Sequence, residues 1–221
     1  MRARSSRLED PRTDPRLRLV DDAVTDGIAR GLGHLIAEDD QLGGRLITLH
    51  GRRHVNFGSC SYLGLETDLR LKTAACDAVA RYGVQFASSR AYVSCPPYAD
   101  LERLLDALFG TPLVIAQTTT LAHFAALPIL IGKEDAVVCD QLVHASVQAV
   151  LPTLQAAGTV CSFVRHSRID RLTEKVETLA TRHRRVWYLA DGIYSMQGDP
   201  APLAALAEIA ARNERFHLYL D

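Results

Sequence analysis

The sequence predicts an α/β protein built on a mostly parallel sheet with helices on both faces. Three observations carry that expectation. Beyond Thr111, five short apolar runs alternate with helix-like stretches, two predicted helices precede them, and polar residues follow each run. Strand–helix alternation of this kind favours parallel strands joined by crossover helices.

The start, MRARSSRLEDPRTDPRLRLVDD, reads as a loose, charged arm. It lacks the apolar core of a signal peptide and carries too many acids for a transit peptide. From about residue 20 to 55 the pattern is mixed, with Gly31, Gly33, Gly43 and Gly44 interrupting any long helix. Residues 1–55 are therefore expected to form an N-terminal arm and helical segment, and residues 56–221 an incomplete large domain. Asp68 to Gly83 predicts a helix with an acid near its start and glycine at its end. PPYADLERLLDALFG predicts a second, because Leu101, Leu104, Leu105 and Leu108 fall on one helical face and Gly110 follows. The predicted strands are 112–116, 136–139, 159–164, 185–190 and 216–220.

Composition narrows the function. With 221 residues, 48% of them hydrophobic, the chain can bury a core in one or two domains. A net charge of -1 argues against a dedicated nucleic-acid binder. No run approaches the roughly 20 apolar residues of a membrane span. The five cysteines are scattered without a C-x-x-C pair, which fits reduced thiols in a soluble cytoplasmic protein.

In an open α/β sheet, ligands gather beyond the carboxyl ends of the strands. That singles out 117–120, 140–144, His166, 191–195 and Asp221. Thr118, Thr119 and Thr120 open a helix, where free N–H groups and the helix dipole suit a phosphate, although by themselves they read first as a simple helix cap. His144 opens the next helix, either as a cap or as a flat ring for stacking on a planar cofactor. Ser195 lies in DGIYSMQGDPAP, a turn too long for a minimal connection. Asp221 ends an apolar strand, and a buried carboxylate there needs a partner. A protonated pyridine nitrogen is one such partner. A metal is not expected, since His144, Asp191 and Asp221 lie on separate connections without tight ligand spacing.

Together NFGSCSYLGL, SSRAYVSCPPYADLE, AALPILIG, the DxxxHAS block at Asp140–Ser146 and YSMQGDPAPL resemble the α-oxoamine synthase family of pyridoxal-phosphate enzymes. The resemblance runs from Asn56 to Asp221. It implies the large domain of a fold-type-I enzyme, cut short before its last strands, and pyridoxal 5'-phosphate as cofactor. Thr119 and Thr120 would bind the phosphate, His144 would stack on the ring as a catalytic residue, and Ser195 would hydrogen-bond the ring hydroxyl. Asp221 would pair with the ring nitrogen and Arg90 would bind substrate. The implied reaction condenses an amino acid with an acyl thioester, carried on CoA or a carrier protein, with loss of carbon dioxide, in a homodimer. An aminotransferase or aldolase on the same fold, or a catalytically silent partner subunit, are the alternatives.

The departures from the family pattern are specific. Thr118-Thr119-Thr120 and later His123 stand where the family has Ser-Gly-aromatic and Asn, and Ala87-Ser88-Ser89 replaces a glycine-rich approach to Arg90. Tyr98, Asp191 and Gln197 replace His, Glu and Asp. The family's Schiff-base lysine falls beyond the position of Asp221, and Lys72, Lys133 and Lys175 read as solvated surface residues. Two further strands are also expected beyond Asp221, between 112–116 and 216–220. Without them the isolated 221 residues are expected to expose bare strand edges and to be poorly soluble.

Overall fold

The computed structural model describes residues 15–87 and 89–221. The first fourteen residues of the expected arm, and Ser88 of the Ala87-Ser88-Ser89 segment, lie outside them. The chain divides into two compact units between Pro96 and Pro97.

In the first unit, the second part of the expected loose arm is helical instead. Helix α1 (Pro15–Ala29) starts on a proline, whose fixed φ suits a first helical position, and stops before Gly31, which takes φ 67°. Strands β1 (Leu46–Leu49) and β2 (Arg52–Val55) form an antiparallel hairpin not expected from the mixed pattern. Its two-residue turn places His50 and Gly51 at φ 51° and 68°, the left-handed pair that such turns require. Helix α2 (Leu69–Tyr82) matches expectation at both ends. Asp68 accepts the N–H of Arg70 at 2.8 Å, and Gly83 ends the helix at φ 75°.

The second unit holds helix α3 (Pro96–Phe109) and a four-stranded sheet. Its strands β3 (Ala136–Asp140), β4 (Val160–Val164), β5 (Val186–Ala190) and β6 (Phe216–Leu220) are all parallel, in the order β4-β3-β5-β6. Both central strands, β3 and β5, are buried along their whole length, which is why AVVC and VWYLA read as continuous apolar runs.

The expected strand at 112–116 does not form. A run becomes a strand only when a neighbour takes its backbone groups. Here the Leu113 N–H donates to Asp106 at 2.9 Å and the Ile115 N–H to Glu102 at 3.3 Å, both carboxylates on α3. The apolar stripe of α3 also stays open, with Leu104 64% and Leu108 73% exposed.

Helices cover both faces of the sheet. On one, α7 (Ile169–Ala180) and α8 (Leu203–Arg212) supply Leu172, Val176, Leu206 and Ile209 against Val138, Tyr188 and Phe216. On the other, α4 (Thr119–Leu130), α5 (Ala145–Gln148) and α6 (Leu151–Ala156) pack Leu127, Val147, Leu151 and Leu154 against Val137, Cys139, Trp187 and Leu189. A buried anchor stands at the opposite end from the polar edge. Asp135, fully buried, accepts from Arg184, Arg185 and the Gly132 N–H. Burial pushes its carboxyl up, but the two guanidiniums outweigh burial and hold it well below the usual range. Among the described residues, no helix is long and apolar enough to cross a membrane.

Candidate active site

The carboxyl ends of β3, β5 and β6 bring His144, Asp191 and Asp221 together. Helix α5 starts immediately after the β3 turn, and His144 is its N-cap, its Nδ1 accepting the N–H of Ser146 at 3.3 Å. The Ser146 hydroxyl stands 2.6 Å from the same nitrogen. Capping and presentation of the ring therefore coexist, because the His144 side chain remains 55% exposed.

The His144 backbone N–H donates to Asp191 Oδ1 at 2.8 Å, tying the loop after β5 to the start of α5. Burial pushes the Asp191 carboxyl up, the His144 N–H draws it partly back, and the negative charge of Asp221 raises it again. The loop then folds on itself. Gly192 N–H donates to the Asp221 carbonyl, Ala201 N–H returns to Gly192, and Gly198 turns the chain at φ 75°. Ser195 sits exposed in this loop, beyond β5, and no hydrogen bond joins it to His144 or Asp221 among the described residues.

Asp221 is held from one side. Its Oδ1 lies 3.1 Å from Nε2 of His123, on α4, and its Oδ2 lies 3.8 Å from His144 Nδ1. The side chain is only 17% exposed. Thr119 and Thr120 open α4, after the Thr118 hydroxyl has capped Leu121 N–H at 3.1 Å. Their own amides belong to the first helical turn and have no acceptor within the helix. Arg90 lies in the other unit, where its Nε donates to Ser94 at 3.2 Å. Lys133 precedes β3, at the opposite end of that strand from His144, and Lys175 lies within α7.

Two groupings carry more than their sequence suggested. His123, a departure from the family's Asn, is 2% exposed and bonds both Tyr219 and Asp221. Periodicity marks the faces but not the pairing: Leu127, one helical turn on from His123, is fully buried, and Tyr219 shares a strand face with Asp221. The second grouping lies beneath the loop. His166 stands 3.2 Å from Asp140 and 2.8 Å from Asp199, and Tyr188 donates to Asp140 at 2.8 Å. Burial pushes the His166 pKa down, but Asp199 and Asp140 outweigh it and the net shift is upward. A charged imidazole donating to both carboxylates fits that geometry. This His–Asp lock fastens the loop bearing Ser195 to β3 and β4.

These residues suit a planar, anionic, nitrogen-bearing ligand. One carboxylate oxygen is held and the other faces the ring side, an exposed imidazole lies beside it, and helix amides stand ready for an anion.

Comparison with known proteins assigns the family. Residues 52–221 match the family described as Aminotransferase class I and II, and the chain belongs to that family. Among curated relatives, an 8-amino-7-oxononanoate synthase of Beijerinckia indica is 35% identical over 187 residues, covering 84% of this chain and 48% of that protein. A second, from Anaeromyxobacter sp. (strain K), is 34% identical over 195 residues, covering 87% and 48%. The chain thus spans about half the length of the curated relatives it matches. The fold matches serine palmitoyltransferase from S. paucimobilis with a bound PLP–myriocin aldimine, at a TM-score of 0.83 and 20% identity over 96% of this chain and 52% of that one. The Sphingomonas wittichii serine palmitoyltransferase matches at 0.81 and 21% identity, over the same shares of the two chains.

Proposed function

We propose that the protein is a pyridoxal-phosphate-dependent acyltransferase, joining an amino acid to an acyl thioester with loss of carbon dioxide to give an α-amino ketone. The observation that carries this reading is the half-held carboxylate of Asp221, beside an exposed imidazole at the sheet's carboxyl edge. The relatives named 8-amino-7-oxononanoate synthase support it.

Bound pyridoxal phosphate supplies an electron sink for negative charge on the amino acid's α-carbon. The chain's own residues orient it. Asp221 pairs with the ring nitrogen and keeps a proton there. His144 stacks on the ring and shields that face from water. The first-turn amides of Thr119 and Thr120, with the α4 dipole, bind the phosphate. Ser195 hydrogen-bonds the ring hydroxyl, and Arg90 binds substrate. Residues 56–221 form the cofactor-holding region, behind an N-terminal segment of residues 1–55. The enzyme works as a cytoplasmic homodimer on an acyl group carried by CoA or a carrier protein.

The isolated 221 residues, which lack the expected Schiff-base lysine, should be inactive, so the test supplies the protein in full-length form with pyridoxal phosphate, carboxyl-labelled amino acids and acyl thioesters. Labelled carbon dioxide and free thiol released in equal amounts are expected. Formation of a 2-oxo acid without thiol release would contradict the reading and favour transamination.

A further inference from the structure

We infer that His123 and Tyr219 are positioning residues, a buried hydrogen-bond chain that selects which oxygen of Asp221 faces the cofactor. The inference rests on the reading that Asp221 meets a pyridine nitrogen.

Three distances set the chain. Tyr219 Oη lies 2.6 Å from His123 Nδ1, His123 Nε2 lies 3.1 Å from Asp221 Oδ1, and Asp221 Oδ2 lies 3.8 Å from His144 Nδ1. An ionised carboxylate can only accept, so Nε2 of His123 must carry a hydrogen. In the neutral imidazole, Nδ1 is then the acceptor and the Tyr219 hydroxyl must be its donor. Burial, then the charge of Asp221, pushes the Tyr219 pKa up, which keeps that hydroxyl a donor. Every polar group in the chain thereby has one assigned role. The imidazole is nearly sealed from water, so no solvent molecule competes for it.

The consequence concerns rotation. An aspartate otherwise turns readily about its terminal torsion, exchanging its two oxygens. With Oδ1 held by His123, only Oδ2 remains on the His144 side, where the ring nitrogen would arrive. His123 thus gives the carboxylate its orientation in advance, and Tyr219 anchors the imidazole through its other nitrogen.

The test separates orientation from packing. Glutamine places its amide nitrogen near the position of Nε2, whereas asparagine reaches only the position of Nδ1. His123→Gln should keep the donor to Asp221, and His123→Asn and His123→Leu should lose it. Each variant is mixed with pyridoxal phosphate, and affinity and the pH titration of the bound ring's absorbance are recorded. His123→Leu and His123→Asn should weaken binding about tenfold, the worth of one hydrogen bond to a charged group, and should move the titration toward that of Asp221→Asn. His123→Gln should restore both. Nitrogen-15 spectra of the histidine-labelled protein without cofactor should show the Nε2–H tautomer at His123, with the Nδ1 resonance shifted in Tyr219→Phe as its donor is lost. Equal titrations in His123→Leu and His123→Gln, or an Nδ1–H tautomer, would overturn the inference. If the unsubstituted protein binds no pyridoxal phosphate, the cofactor reading fails and takes the inference with it. An unsubstituted protein that binds, with variants that titrate alike, sinks the inference alone.

Discussion

Asp191 accepts the backbone N–H of His144 through Oδ1 at 2.8 Å, so the loop after β5 fixes where α5 begins. A single carboxylate thus sets the position of the ring expected to stack on the cofactor. The acid sits beside Asp221, and both its burial and that charge push its carboxyl up.

This pairing separates two substitutions. Asp191→Asn keeps an acceptor for His144 and removes a charge near Asp221, so its stability should stay close to that of the unsubstituted protein. Asp191→Ala leaves the N–H without a partner and should cost about 1–3 kcal/mol. Chemical denaturation of both variants checks this, and equal losses would show that the hydrogen bond is not what matters.

His144 itself predicts a split between fold and cofactor. Its ring caps Ser146 but is otherwise half-exposed, so His144→Ala should cost about 1 kcal/mol, as for loss of an ordinary cap. The bound cofactor's absorbance should change far more than the melting temperature. Early melting with an unchanged spectrum would mean that His144 serves only as a cap.

The lock of His166 between Asp140 and Asp199 predicts a pH window. The folded pKa of His166 is raised, so its contribution is fully present below its unfolded value of about 6.5 and is lost as pH rises through the folded value. The Asp199 pKa is depressed, chiefly by His166, so its contribution is present above about 3.9 and is lost as pH falls through its lower folded value. Tyr188 and Tyr194 face the same cluster, and burial pushes both hydroxyls up, so they stay protonated across this window. The amides of Tyr194, Gly198 and Ala201 should therefore exchange slowest inside it and lose protection as the solution turns alkaline. Protection that is flat across neutral and alkaline pH, after correction for intrinsic rates, would count against the lock.

Asp135 predicts the acid side of global stability. Its folded pKa is held down by Arg185 and Arg184 despite burial, so its stabilisation is present above the unfolded value of about 3.9 and fades as pH falls toward the folded one. Asp135→Asn at neutral pH should cost about 2 kcal/mol, because it removes the charge that pairs with two arginines and turns one of the two acceptor oxygens into a donor. A variant that also flattens the acid dependence would identify Asp135 as its source.

What the sequence revealed follows what is local. The strands at 136–140, 160–164, 186–190 and 216–220 were legible because β-branched and aromatic residues cluster between polar turns. Helix α2 was legible because Asp68 and Gly83 cap it through neighbours in the chain. The hairpin at 46–55 escaped notice because its strands are four residues each and its turn uses histidine where asparagine is the usual signal. The stretch 112–116 misled because an apolar run says nothing about whether a partner strand is present. The edge residues His144, Asp191 and Asp221 could be named from strand ends alone. His123 could not be given its role, since its two contacts, Tyr219 and Asp221, lie 96 and 98 residues away.

The proposed chemistry turns on Asp221 holding a proton on a pyridine nitrogen. The most direct measurement loads the protein with pyridoxal phosphate labelled with nitrogen-15 in the ring and records that nitrogen's chemical shift at neutral pH. A protonated ring nitrogen is expected in the unsubstituted protein and an unprotonated one in Asp221→Asn, with the cofactor still bound in both. The same shift in the two proteins would contradict it, and would remove Asp221 from the role on which the proposed chemistry depends.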